Sequence, residues 1–94
     1  MKAKDYFEKY GERLVSADQE VHMQATKELL LDLLDETDEL FKKRKPMTEK
    51  ATNAIINEVN DKWNALCDML NPPVLKRNGW KTWFVAEVIR HGNG

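Results

Sequence analysis

Apolar positions near the start of the chain recur at helical steps. Phe7, Tyr10 and Leu14, with Tyr6 at the border, predict a short helix over about Lys2–Val15. Gly11 weakens it by ~1 kcal/mol relative to alanine, so a segment of this length has to dock to persist. Ser16-Ala17-Asp18-Gln19 then has capping-box spacing, with Asp18 and Glu20 at the positive end of the helix that would follow. From there Met23, Thr26, Leu30, Leu33, Thr37 and Leu40 alternate steps of three and four. That spacing turns one seam toward a neighbouring helix. Leu29, Leu34 and Phe41 widen the seam to the stripe of a bundle helix, while Leu31 stands off it. Lys42-Lys43-Arg44-Lys45 suit the negative end of the helix dipole, and Pro46 stops the helix.

Thr48 is the expected cap of the next helix. Thr52, Ile56, Val59, Trp63, Leu66 and Leu70 form its seam, with Ile55 and Cys67 alongside. The short connection predicts that Ala17–Lys45 and Glu49–Leu70 run antiparallel, as rods of roughly 40 Å and 30 Å. Asn71-Pro72-Pro73 ends the second rod, and Asn78-Gly79 signals a turn. Trp80, Trp83, Phe84, Val88 and Ile89 then suit a last helix of about three turns, with Gly92 as its cap before a frayed end. No stretch alternates apolar and polar residues at period two, so no strand is predicted. The expected architecture is all-α over a single domain, 1–94: a small bundle built on a long antiparallel helical hairpin, with short terminal helices packed on it. Its expected core is Phe7, Tyr10, Leu14, Leu30, Leu33, Leu34, Leu40, Phe41, Ile56, Val59, Trp63, Leu66, Leu70, Trp83, Phe84 and Val88.

Composition narrows the function. Ninety-four residues leave no room for a second core, and 41% hydrophobic with 33% charged residues favours folding over disorder. A net charge of −1 gives no general attraction to nucleic acid or anionic lipid. The single cysteine, Cys67, excludes an intrachain disulfide. No stretch reads as a signal peptide or a membrane span, so a cytoplasmic location without membrane contact is expected.

Three groups of residues are candidates for chemistry or contact. Glu36-x-x-Glu39 and, after an 18-residue gap, Glu58-x-x-Asp61 lie on consecutive helices. This pattern resembles the magnesium-binding signature of the all-helical nucleotide pyrophosphohydrolases, the MazG-like and dCTPase-like family. The resemblance implies that Glu36, Glu39, Glu58 and Asp61 are metal ligands. Their helical phase opposes this: at ~100° per residue, Glu36 falls roughly 110° and Glu39 roughly 170° from the centre of the apolar face. All four are therefore expected to face solvent, converging on a metal only if a second subunit supplies the facing side.

The second group is basic and aromatic. Lys76, Arg77 and Lys81 around Trp80 have the look of phosphate contacts beside a stacking ring, a nucleic-acid reading. Their competing role is as solvated charge, with the tryptophans in the core. The third group, Leu31 and Ile55, lies beside the seams and suggests a surface for a protein partner or for self-association. His22 and His91 lack companions at ligand spacing, and Cys67 reads as a small buried hydrophobe. No glycine-rich phosphate loop is present, so no cofactor is expected. Lys62-Trp63-Asn64-Ala65 with Leu75-Lys76-Arg77-Asn78-Gly79-Trp80 is similar to segments of small helical proteins encoded by phages and prophages. That resemblance implies a mobile-element context and assigns no site. The leading expectation is a non-enzymatic interaction module, ahead of a nucleic-acid accessory protein and a magnesium-dependent hydrolase.

Overall fold

A computed structural model describes the backbone of residues 1–92 and the side chains of residues 1–90. The expectations for His91 and for the Gly92-Asn93-Gly94 end lie outside those side chains. Four helices follow in order: α1 (Ala3–Leu14), α2 (Gln19–Arg44), α3 (Glu49–Met69) and α4 (Gly79–Gly92). Among the described residues there is no strand, and no helix is long and apolar enough to cross a membrane.

The helix ends follow local chemistry. Asp18, not Ser16, caps α2, its carboxylate accepting from the Glu20 and Val21 amides. Ser16 Oγ instead accepts from the Asp18 amide, which sets the approach of the chain. Two capping groups lie two residues apart, and the carboxylate is the stronger acceptor for the positive helix end. Thr48 caps α3 through the Ala51 amide, as expected. Lys45 closes α2 in the left-handed region, at φ 47°, where a glycine is the usual occupant.

The buried residues of α2 are Ala25, Leu29, Leu33 and Thr37, at successive steps of four. Leu30, Leu34, Leu40 and Phe41 are half-buried against this core, and Met23 is exposed. The inward face is thus rotated from the Leu30 side toward Leu29. The cause is α1, which docks Tyr6, Tyr10 and Leu14 rather than Phe7. Its tyrosine rings are buried while their hydroxyls meet acids of α2 at the edge, a use of Tyr that Phe7 cannot match. Phe7 is left exposed.

Helix α3 is packed by all three other helices. Val59, Trp63, Leu66, Cys67 and Leu70 join residues of α1, α2 and α4 in one core. Ile55, an expected surface contact, is only 1% exposed. It lies about 60° from the centre of the α3 stripe, and on a helix with three neighbours that flank is covered too.

Asparagines position α4. Asn78 takes the left-handed region at φ 64°, its amide donating to Asn64 Oδ1 at 2.8 Å. Asn60, 5% exposed, donates to Asn78 Oδ1 at 2.8 Å and accepts from the Lys81 amide at 3.2 Å. Trp63 Nε1 donates to the Lys76 carbonyl at 2.7 Å, which holds its ring in place.

Two glycines make contrasting predictions. A Cβ on Gly79 would stand 3.1 Å from Trp63 Cζ2, a ring that cannot yield. Gly79→Ala should therefore destabilise by about 1–2 kcal/mol. A Cβ on Gly11 meets the Phe7 ring at 3.1 Å, but that ring is free to turn toward solvent. Gly11→Ala should gain up to ~1 kcal/mol from helix propensity. Urea unfolding of the two variants checks the opposite signs.

Candidate interaction surface

Apolar residues surround α4. Trp80 and Phe84 face α3 and are buried, with ring centroids 5.0 Å apart and planes 19° from parallel. Trp83 is half-buried against the same core. Val85 and Ile89 lie roughly 150° and 170° around the helix from the centre of that inner face. They are 44% and 57% exposed, and Val88, expected in the core, is 53% exposed. Val88 lies nearly 90° off the inner face, and α4 packs chiefly on α3, so among the described residues that flank stays half-exposed. A helix that is apolar all round is normally buried all round.

A groove of about 450 Å³ opens beside this helix. Met23, Leu30 and Leu31 of α2 and Trp83 of α4 supply its apolar lining, with His22, Thr26, Lys27, Glu87 and Arg90 as polar neighbours. Leu31 is 47% exposed. Its position on α2 follows from the rotation toward Leu29, which leaves the Leu30–Leu31 side for solvent. His22 Nδ1 lies 2.7 Å from the Leu14 carbonyl and must be the donor, since a carbonyl only accepts. The imidazole thus ties the end of α1 to the start of α2. Arg90 pairs with Glu87 at 2.8 and 3.0 Å.

The four acids of the metal reading are dispersed. Glu36 corrects the phase expectation most clearly: it lies about 40° from the centre of the observed α2 stripe, and its side chain is only 15% exposed. It accepts from Lys62 Nζ at 2.5 Å, from Tyr6 Oη at 2.9 Å and from the Met1 α-amino group at 2.9 Å. Burial pushes its carboxyl up, but these three hydrogen bonds outweigh burial and hold it below the usual carboxylate range. Glu58 is engaged by Arg44 at 2.7 and 3.1 Å. Glu39 lies 4.0 Å from Lys42, and Asp61 is exposed. Among the described residues, no three His, Cys, Asp or Glu side chains come together to hold a metal ion.

Glu36 belongs instead to a ladder that the sequence reading missed. Glu28, Asp32 and Glu36 recur every four residues along α2. Arg13 meets Glu28 at 2.9 Å, and Lys9 Nζ meets Asp32 at 2.9 Å. Tyr10 Oη donates to the same Asp32 carboxylate. Burial raises the Asp32 carboxyl, yet the Tyr10 and Lys9 hydrogen bonds bring it below its ordinary value. The legible signal was two matched spacings, Tyr6/Tyr10/Arg13 on one helix and Glu28/Asp32/Glu36 on the other.

The basic candidates keep their charge at the surface but lose their ring. Trp80 is 0% exposed, so it cannot stack on a base; its inward position follows from the Asn78-Gly79 turn, which starts α4 against Trp63. Arg77 pairs with Asp68 at 2.6 Å, and Lys81 Nζ donates to Asn57 Oδ1 at 2.9 Å. Lys76 is exposed. Cys67 is buried, and burial pushes its thiol up, away from the thiolate a nucleophile needs. No protein-family model, curated protein or solved structure matches the chain.

Proposed function

We propose that the protein is a non-enzymatic interaction module whose docking surface is the apolar side of α2 and α4. The observation that carries this reading is the outward placement of Val85, Val88 and Ile89 on a helix whose opposite side is already core. Leu31 and Met23 extend the apolar surface across the groove. Nothing about helix propensity favours three β-branched residues on an exposed helical face; burial by a partner accounts for them.

The scaffold behind this surface is an antiparallel hairpin of α2 and α3. Supporting this is the reversed order of the pairs Glu36–Lys62 and Arg44–Glu58, in which a later residue of α2 meets an earlier one of α3. The setting is the cytoplasm and the mobile-element context that the resemblance to phage and prophage proteins implies. The nucleic-acid reading retains Lys76, Arg77 and Lys81 but no stacking partner. The hydrolase reading retains four acids, of which Glu36 and Glu58 are bound to cations of the same chain.

Photo-crosslinking in the source cells tests the proposal. A photoreactive residue at position 31 or 89 should yield discrete protein adducts, while one at the exposed control position 53 should not. Adduct patterns no different from the control would overturn it.

A further inference from the structure

We infer that Asn78-Gly79 is a covalent modification site which the fold holds shut: water converts the Asn78 carboxamide to a carboxylate only when the start of α4 lifts from α3. The isoaspartate formed in that event then keeps α4 from seating again. The inference does not depend on what docks on the apolar surface.

The chemistry is intramolecular and needs only water. The Gly79 nitrogen, its proton taken up by hydroxide, attacks Cγ of Asn78. The Cγ–Nδ2 bond breaks, and ammonia leaves with a proton from water, which closes a succinimide ring. Water then opens either ring carbonyl. Opening at Cγ leaves an aspartate in an unchanged backbone. Opening at the main-chain carbonyl leaves isoaspartate, whose backbone runs through Cβ and Cγ and is one carbon longer. Glycine favours ring closure because no Cβ shields its nitrogen. The asparagines of α3 lack that advantage, since Asn53, Asn57, Asn60 and Asn64 precede Ala54, Glu58, Asp61 and Ala65.

The structure supplies both the opportunity and the block. Asn78 is exposed, so water reaches it, and its leaving nitrogen, Nδ2, donates to nothing among the described residues. Every other polar group of Asn78 is held. Its Oδ1 accepts from Asn60 Nδ2 at 2.8 Å and from Asn64 Nδ2 at 3.2 Å. Its amide donates to Asn64 Oδ1 at 2.8 Å, and its carbonyl accepts from the Thr82 amide at 3.1 Å. The attacking atom is tied down as well, because the Gly79 N–H donates to the Lys76 carbonyl at 3.0 Å. Gly79 also lies so close to Trp63 that a Cβ would stand 3.1 Å from the ring. Nitrogen and Cγ therefore meet only when the first turn of α4 opens, and the rate is that of the unfolded chain multiplied by the open fraction. An aspartate product keeps both acceptor bonds and sets a negative charge at the positive end of α4. Isoaspartate instead inserts a carbon between groups fixed on Asn64 and on Trp63, and the docked helix has no place for it.

Incubation of the full chain at mildly alkaline pH across a urea series tests this, read by peptide mapping in the mass spectrometer and by isoaspartyl methyltransferase labelling. The mapping is site by site because Asn93-Gly94 repeats the dipeptide. Without urea, Asn78 should convert at least ~10-fold more slowly than in the urea-unfolded chain. Below the unfolding transition its rate should climb with a slope well under that of global unfolding, as a local opening requires. Asn64→Ala, checked for folding by circular dichroism, removes two of the restraining bonds and should speed conversion roughly tenfold. Asn78→Asp should melt as the wild type does, whereas the isolated isoaspartate chain should lose the near-ultraviolet signal of the buried Trp80. Conversion in the folded chain at the unfolded rate overturns the inference, as does a urea slope equal to that of global unfolding. So does an unchanged rate in a folded Asn64→Ala chain. Asn78→Asp and isoaspartate chains that behave alike count equally against it.

Discussion

Trp80→Ala is expected to lower the unfolding free energy by about 3–5 kcal/mol. Trp80 is completely buried, stacks on Phe84 and stands at the first turn of α4. Its removal takes away the anchor that sets α4 on α3. A chain of this size has a total stability of roughly 5–14 kcal/mol, so the variant should melt some 15–30 °C lower. Trp80→Phe should cost far less, about 1–2 kcal/mol. The indole Nε1 is buried with no hydrogen-bond partner among the described residues, so the substitution also removes an unpaired donor. Thermal unfolding followed by far-ultraviolet circular dichroism separates the two. Equal losses in both variants would mean that the ring edge, not ring burial, holds the helix.

Glu36→Ala is expected to cost about 2–3 kcal/mol, because it strands the partly buried Lys62 ammonium and the Tyr6 hydroxyl together. Tyr6→Phe, which removes one donor and keeps the ring, should cost under ~1 kcal/mol. The pH dependence follows from the direction of the shifts. The carboxyls of Glu36 and Asp32 titrate lower in the folded chain than in the unfolded one. The same holds for Glu58, chiefly through its hydrogen bonds from Arg44. Their contribution is fully present above the ordinary carboxylate value, about 4, and is lost as pH falls through the depressed folded values. Burial and the Glu36 hydrogen bond raise the Tyr6 phenol, and burial with Asp32 raises that of Tyr10. A raised acid contributes stability below its unfolded value, about 10, and loses it progressively above. Stability should thus form a plateau between about pH 5 and pH 9 and fall on both sides. Glu36→Gln should flatten the acid limb and Tyr6→Phe the alkaline limb, measured by urea unfolding at a series of pH values.

Much of this molecule was legible in residue spacing. The helices fall within a residue or two of their predicted spans because Thr48 and Pro46 are local signals that need no tertiary information, and the α2 start moved by two residues because Asp18 rather than the expected Ser16 caps it. The α3 seam was legible because Val59, Trp63, Leu66 and Leu70 are its strongest apolar residues and α3 is central. The α2 face was not, since Leu29, Leu30, Leu31, Leu33 and Leu34 spread over more than half of its circumference. Only the arrival of Tyr6 and Tyr10 on the Glu28/Asp32/Glu36 side selects Leu29 over Leu30. The same arrival explains why Glu36 turns inward while Glu39 does not. For the surface, Leu31 was visible as a leucine off the seam, whereas Ile55 was misplaced because three helices surround α3. Trp80 took the core role that competed with the stacking one, while Val88 was misplaced: the turn at Asn78-Gly79 fixes the rotation of α4, and a backbone rotation cannot be read from a run of apolar residues that circles the helix.

Resonance mapping on the uniformly labelled chain tests the central claim most directly, by following backbone amide shifts as an apolar surface probe (anilinonaphthalene sulfonate), magnesium with a nucleoside triphosphate, and a short mixed-sequence duplex are each titrated in. An apolar α2/α4 docking surface predicts probe-dependent shifts centred on residues 22–31 and 80–90, with Glu36, Glu39, Glu58 and Asp61 unmoved by magnesium. Magnesium-dependent shifts converging on those four acids, with the α4 amides indifferent to the probe, would contradict it.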